Sequence, residues 1–250
     1  MRASRLPLLT KCSGSAYLPT DEEQSENAAK AAEWGRMVHT WKETGEFRGP
    51  STRAEHALRR AVELSGIDRL AYWPAAGTHE QGVRLRVDGH REVVGDADVT
   101  PGYITGTDDF QWYILDDELW IDDLKTGKYY EDPETGSNLY PQDVRSAQLR
   151  FYATAIAALL GYSGVVHVSL THWPRLPLKF RHAEPVRFWT EYHTDELSVY
   201  WSELELLHQE VEAGHAGQYT LNPGDHCRFC PSRNYCLEAV TFEPYDWRRH

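Results

Sequence analysis

The chain has 250 residues, of which 41% are hydrophobic and 12% aromatic, nine of them tryptophans, and its formal net charge is −12. That apolar content exceeds what a disordered chain carries, no apolar run approaches the roughly 20 residues needed to cross a bilayer, and the length admits one large domain or two small ones. The acidic balance argues against a protein that grips nucleic acid by overall positive charge, although carboxylates that hold cations would restore positive charge locally.

At the start, "MRASRLPLLTKCSG" contains a short "LPLL" cluster that Pro7 and Lys11 interrupt before an h-region length of about 7–15 residues, so no export signal and a cytoplasmic location are expected. "ENAAKAAEWGRMVHTWKET", Glu26 to Thr44, is rich in helix formers and stops at Gly45. A second helix is predicted over Arg53 to Leu64, closing at Gly66. After Pro74 and Gly77 the texture becomes alternating: Val83, Leu85 and Val87 share one strand face. Strand character continues to about residue 125. Phe110 to Leu115 and "LWIDDLK" form a predicted hairpin around a turn at "DDE", 116 to 118. Helix returns from Pro141 and closes at Gly161, "GVVHVSLTHW" reads as a central strand, and a last helix spans about Asp195 to Ala213. The scattered bases Arg84, Arg86, Arg91, Arg175, Lys179, Arg181 and Arg187 read first as solvated strand and loop charges. The order of elements, with no internal repeat, predicts one α/β domain.

Chemistry concentrates in "WIDDLKTGK", 120 to 128. Strand side chains alternate, so Asp123 and Lys125 share a face with Leu119 and Ile121, and Asp122 points the other way, where it is expected to tolerate replacement. An isolated D-x-K would read as a solvated ion pair. Here Asp109 stands 14 residues upstream, on the preceding hairpin strand, where it can converge on Asp123. Two such carboxylates with a backbone carbonyl such as that of Leu124 suit Mg²⁺ or Mn²⁺, and Lys125 beside them would hold a phosphate oxygen or an attacking water. "GDADV" makes Asp98 a rival for Asp109, and Glu80 is an auxiliary acid of lesser weight.

"GTDDF" followed by "WIDDLKTG" resembles the PD-(D/E)XK nuclease superfamily, in particular its RecB-like branch, in which G-x-x-D precedes a strand carrying D-x-K-T-G. Two further marks of that branch are present: G-x-x-x-H as Gly35 to His39, and Q-x-x-x-Y as Gln148 to Tyr152. Each pair lies one turn apart on a helix face. The resemblance implies a restriction-endonuclease-like mixed sheet flanked by helices, with His39, Asp109, Asp123 and the Leu124 carbonyl as metal ligands and Lys125, Asp123 and Asp109 as catalytic residues. Gln148 and Tyr152 would touch DNA, or else brace their helix against the sheet.

Four cysteines do not make a disulfide framework in such a chain. Cys227-x2-Cys230-x5-Cys236 offers three thiolates, and Cys12 is the remaining one. By spacing, a Cys₄ zinc site and a [4Fe–4S] cluster compete. The arrangement is similar to that of the iron–sulfur nucleases of the AddB and CRISPR-adaptation type, which implies a structural [4Fe–4S] cluster. Ser13 stands where relatives usually have proline. The implied organisation is a single nuclease domain over 1–250, with a core at about 26–213 and a cluster annex from 1–19 and 215–240. The implied activity is that of a Mg²⁺- or Mn²⁺-dependent exonuclease on single-stranded DNA or DNA ends, in recombination, repair or phage DNA metabolism, with recombination or replication proteins as partners. The contrasting expectation is a non-catalytic DNA-binding or scaffold subunit with zinc in the annex.

Overall fold

The computed structural model describes residues 1–19, 26–46, 56, 59–60, 74, 76–114, 118–127, 145–174, 186–215, 220–224, 226–227, 230–236 and 238. Its helices are α1 (Leu6–Leu9), α2 (Glu26–Thr44), α3 (Ala147–Leu159) and α4 (Thr194–His215). Six strands, β1 (Thr78–Arg86), β2 (Val93–Val94), β3 (Tyr103–Ile114), β4 (Glu118–Gly127), β5 (Val165–Pro174) and β6 (Val186–His193), form one sheet in the order β2-β1-β3-β4-β5-β6. Among these strands, β4 and β5 pair in parallel and the other neighbours pair antiparallel. The helix expected over Arg53 to Leu64 lies largely outside the described residues, as do Arg175, Lys179 and Arg181. No described helix is long and apolar enough to cross a membrane.

The third helix begins later than Pro141 suggests. Ser146 takes an extended conformation and its hydroxyl accepts the Leu149 N–H at 3.3 Å, which fixes the start of α3 at Ala147. Its end falls where expected, with Gly161 at φ 62° and the Tyr162 N–H closing onto the Ala157 carbonyl. Between those caps, residues 149 to 157 bury nearly every side chain, because α3 packs between the sheet and α4. At the start of α4, Glu196 accepts the His193 N–H at 2.8 Å, a carboxylate placed where helix N-termini favour one.

Each face of the sheet has its own core. Leu119 and Ile121 of β4, Val83 and Leu85 of β1 and Val166, Val168 and Leu170 of β5 pack with α3, α4 and the N-terminal Ala3, Leu6 and Leu9. Trp34, Val38 and Trp41 of α2 pack instead on Phe110, Trp112, Leu124 and Trp173. Strand β4 is therefore covered on both sides, and both aspartates of "WIDDLK" leave water.

The pleat of β3 inverts partway along. Ile104 lies in the α3 core and Phe110 in the α2 cluster, although an even spacing keeps residues of an unbroken strand on one face. The break sits at a single rung: β1 and β3 pair Gln81 with Asp108 and His79 with Phe110, and leave out Glu80 and Asp109. Glu80 there has φ 52°, a left-handed backbone that costs a non-glycine residue about 1–3 kcal/mol and is held only where its surroundings over-determine it.

Candidate active site

Helix α2 can reach the inverted rung because Gly35 lets it approach β4. A Cβ at Gly35 would lie 3.0 Å from Thr126 Oγ1, tighter than ordinary contact, so a side chain there would require the threonine or the helix to shift by a few tenths of an ångström. One turn on, His39 Nε2 lies 3.2 Å from the Leu124 carbonyl oxygen, and His39 Nδ1 lies 3.7 Å from Asp109 Oδ1 and 3.9 Å from Glu80 Oε1. Asp109 Oδ2 accepts the Leu124 N–H at 2.6 Å, which ties the carboxylate to the D-x-K strand. One ligand atom from each of His39, Glu80 and Asp109 falls within 4.8 Å of the others.

Asp123 and Lys125 share the α3 face of β4, with Lys125 Nζ 2.6 Å from Asp123 Oδ2. Above them sits Tyr152 of α3, 3% exposed, with its hydroxyl receiving the Gln148 amide N–H at 3.2 Å. Tyr152 is buried against the sheet, and Gln148 is half-buried. The Tyr152 ring also explains the glycine of G-x-x-D. A Cβ at Gly106 would lie 2.8 Å from both Tyr152 Cε1 and Ala3 Cβ. Gly106→Ala is accordingly expected to destabilise by about 1–3 kcal/mol through overpacking. Denaturant melts should show Ala3→Gly in the same chain recovering part of the loss.

The carboxyl groups are crowded. Burial, then the charge of Asp123, push the Asp109 pKa upward, against His39 and Lys125, which pull it down. Asp108, 1% exposed, is pushed up to about 8 by burial and by Asp109. Burial opposes protonation of His39, but the nearby carboxylates of Glu80 and Asp109 outweigh that, and its pKa is raised. Lys125 is likewise opposed by burial and raised overall by Asp123 and Asp109, so it stays an ammonium. Such a set, acids too close together to carry their charge comfortably beside an imidazole and the Leu124 carbonyl, fits a hard or borderline divalent cation of the Mg²⁺ or Mn²⁺ kind.

A sign follows for stability without divalent ions. A carboxyl with a raised pKa in the fold binds its proton more tightly there than in the unfolded chain, so its contribution is present at low pH and is lost as pH rises through the folded value. Melting temperature in buffer free of divalent ions should fall between pH 5.5 and about pH 8, the value to which Asp108 is raised. Asp108→Asn should make that decline shallower.

Among the rival acids, Asp98 lies exposed between β2 and β3, its N–H bonded to Asp96 Oδ1, away from this cluster. Glu80 is drawn in more strongly than its place at the start of a strand suggests. Asp122 does face the other way, but into the protein: it is 0% exposed and accepts hydrogen bonds from the hydroxyls of Ser169 and Thr171, the latter at 3.0 Å, with Arg187 Nε 3.6 Å away. The expectation that it tolerates replacement is therefore corrected. Asp122 pairs with Ser169 across the parallel ladder and β6 supplies Arg187, partners that no local pattern names.

At the other end of the chain fold, Cys12, Cys227, Cys230 and Cys236 line one small pocket with Asn222 and His226, and none is in a disulfide. The Asn222 N–H points at Cys12 Sγ at 3.5 Å and the Gly224 N–H at Cys227 Sγ at 3.4 Å, donors that suit thiolates. Burial, and then the three neighbouring sulfurs, raise the Cys230 thiol pKa, against a backbone hydrogen bond that lowers it. Four sulfurs thus line one pocket, and N–H groups are directed at two of them, Cys12 and Cys227.

A family model described as the PD-(D/E)XK nuclease superfamily matches residues 3–237. No curated protein matches the sequence. Among solved structures, a candidate exonuclease from Eubacterium rectale is 12% identical over 92% of this chain and 87% of its own, with a TM-score of 0.48. The protein SSO0001 is 11% identical over 96% of this chain and 87% of its own, with a TM-score of 0.43. A phage related exonuclease from Haemophilus somnus 129PT is 14% identical over 87% of this chain and 95% of its own, with a TM-score of 0.33.

Proposed function

Since the chain belongs to the PD-(D/E)XK nuclease superfamily, we propose that it is a divalent-metal-dependent DNA exonuclease of the RecB-like, iron–sulfur kind, acting on single strands or ends. The observation that carries this reading is the convergence of His39, Glu80 and Asp109, within 4.8 Å of one another, beside the Asp123–Lys125 pair. His39, Glu80, Asp109, Asp123 and the Leu124 carbonyl would hold the ion. When bound, it supplies Lewis acidity, lowering the pKa of water and neutralising charge on the scissile phosphate.

The remaining steps belong to the chain itself. Lys125, kept as an ammonium by Asp123, orients the attacking water and stabilises charge as it gathers on the phosphate. Asp109 is aimed by its hydrogen bond from Leu124, so its second oxygen stays directed at His39. Gln148, at the rim and pinned to Tyr152, presents its amide to the DNA backbone. In this reading the chain is one nuclease domain, and a [4Fe–4S] cluster on Cys12, Cys227, Cys230 and Cys236 fastens its two ends.

The test is an anaerobically purified sample, its visible absorbance, and Mn²⁺-dependent digestion of end-labelled linear and of circular DNA, single- and double-stranded. Brown protein that shortens linear DNA progressively and spares circles is the expected result. Four thiolates serve zinc equally well, so a colourless, zinc-containing protein that binds DNA and leaves it intact would establish the scaffold reading instead. Cleavage of circles at an equal rate would overturn exonuclease action and keep hydrolysis.

A further inference from the structure

We propose that the aromatic row formed by Trp120, His167 and Trp189 is a stacking platform for the unpaired bases of a single DNA strand. This rests on the hydrolytic reading above and gives it a place where a single strand is told from a duplex. The row lies on the α2 face of the sheet. Trp112 of β3, Trp120 of β4 and His167 of β5 stand in register, with ring centroids 5.6 Å and 4.5 Å apart and planes inclined by 18° and 12°. Trp189 of β6 closes the row, 6.0 Å from Trp120 and 5.9 Å from His167.

The apolar cluster beneath α2 reaches Trp120 and includes no residue of β6 among those described. Trp189 is 56% exposed. A single exposed apolar residue needs no explanation, but Trp189 continues a row of rings that runs in from the covered part of the sheet.

The ladder sets this row beside the candidate metal site. Leu124, whose carbonyl meets His39, pairs with Thr171 and through it with Arg187; Asp122 pairs with Ser169 and through it with Trp189. Trp120 pairs with His167 and through it with Glu191. Each row is two residues from the next, so the rings begin about 7 Å along the strands from Leu124 and reach about 13 Å. Arg187 therefore stands at the catalytic end. Its Nε is 3.6 Å from Asp122, and its Cζ lies 4.9 Å over the Trp112 ring and 5.8 Å over that of Trp120. The acids stand at the far end, where Glu118 accepts the Trp120 indole N–H at 3.4 Å and lies 3.7 Å from His167 Nε2, and Glu191 is exposed. A strand running out from the site passes a cation first, which favours a phosphate, and then rings on which any base can stack. Bases in a duplex already stack on both faces, so the platform selects unpaired ones.

The test compares single strands with duplex where no hydrolysis proceeds. The full chain is titrated into fluorescein-labelled oligothymidylate, and separately into a labelled duplex of equal length, in buffer free of divalent ions, with binding read by anisotropy. Trp189→Ala should weaken single-strand binding by about 5- to 150-fold and leave duplex binding unchanged. Trp189→Phe, which keeps a ring, should bind near the wild type, and Trp189→Leu, which keeps apolar surface without one, should bind as Trp189→Ala does. The ratio of wild type to Trp189→Ala should hold as salt is raised, because a neutral ring releases no counterions. Trp189 is outside both hydrophobic clusters, so all three variants should melt as the wild type. A wild type that does not bind oligothymidylate, or a Trp189→Ala protein that binds it within about threefold of wild type, overturns the platform. A Trp189→Leu protein that binds as the wild type also overturns it, in favour of a plain apolar contact. So does a wild-type dimer that Trp189→Ala splits without change in DNA binding, which makes the face an interface between copies of this chain. If the wild type digests DNA with Mn²⁺ while Trp189→Ala binds single strands as it does, the nuclease reading stands without the platform. If Trp189→Ala loses single-strand binding and the wild type leaves DNA intact with Mn²⁺, the platform stands and the nuclease reading falls.

Discussion

Asp123→Asn should retain the fold and lower the rate of DNA hydrolysis by about 10³-fold or more, roughly 4 kcal/mol in activation free energy. Asp123 is buried on the face that carries Lys125, and its Oδ2 lies 2.6 Å from Lys125 Nζ, so the substitution removes one carboxylate charge and loosens the ammonium at once. Nothing in the hydrophobic clusters depends on the lost charge, and Asn fills the same volume, so the melting temperature should change little. Single-turnover digestion at saturating Mn²⁺, alongside a thermal melt, separates the two effects. Activity within tenfold of wild type would remove Asp123 from the site.

The neighbouring substitution should do the reverse. Asp122→Ala is expected to destabilise the protein by about 3–5 kcal/mol, because removing one member of a buried charged network strands the others. Arg187, stacked 4.9 Å over the Trp112 ring, would lose its carboxylate, and the Ser169 and Thr171 hydroxyls would lose their acceptor. For a chain of this length such a loss lowers the melting temperature by on the order of 10 °C. Hydrolysis per folded molecule should survive below the new transition. A protein that melts as wild type with Asp122→Ala would contradict the network; one that folds normally and is inactive would exchange the roles assigned to the two aspartates.

These two residues also show how far the sequence carries. Period-two alternation was enough to separate Asp123 from Asp122 and to place Asp109 on the partner strand, and helical spacing was enough to pair Gly35 with His39. What those patterns omit is tertiary. Asp122 looks dispensable in one strand and becomes a buried acceptor with three partners once β5 and β6 lie beside it. Glu80 reaches the cluster through a left-handed backbone, which its residue type does not announce. Asp108 holds no place in the motifs, and its burial without a side-chain partner is visible only when the sheet closes around it. Helix α3 starts at Ala147 rather than Pro141 because the Ser146 hydroxyl caps it there, a boundary that the nearby proline does not mark.

A β-sheet ordinarily insulates the layers on its two sides, since each residue can serve one or the other. The shared inversion at Glu80 and Asp109 breaks that insulation at one rung without disturbing the ladder above or below it. Groups from the α2 layer and groups from the α3 layer meet there, so whatever is bound is gripped through the sheet, like a rivet, rather than cradled on its surface. Prising either helical layer away would open the site, and filling the site would clamp both layers to the same strand.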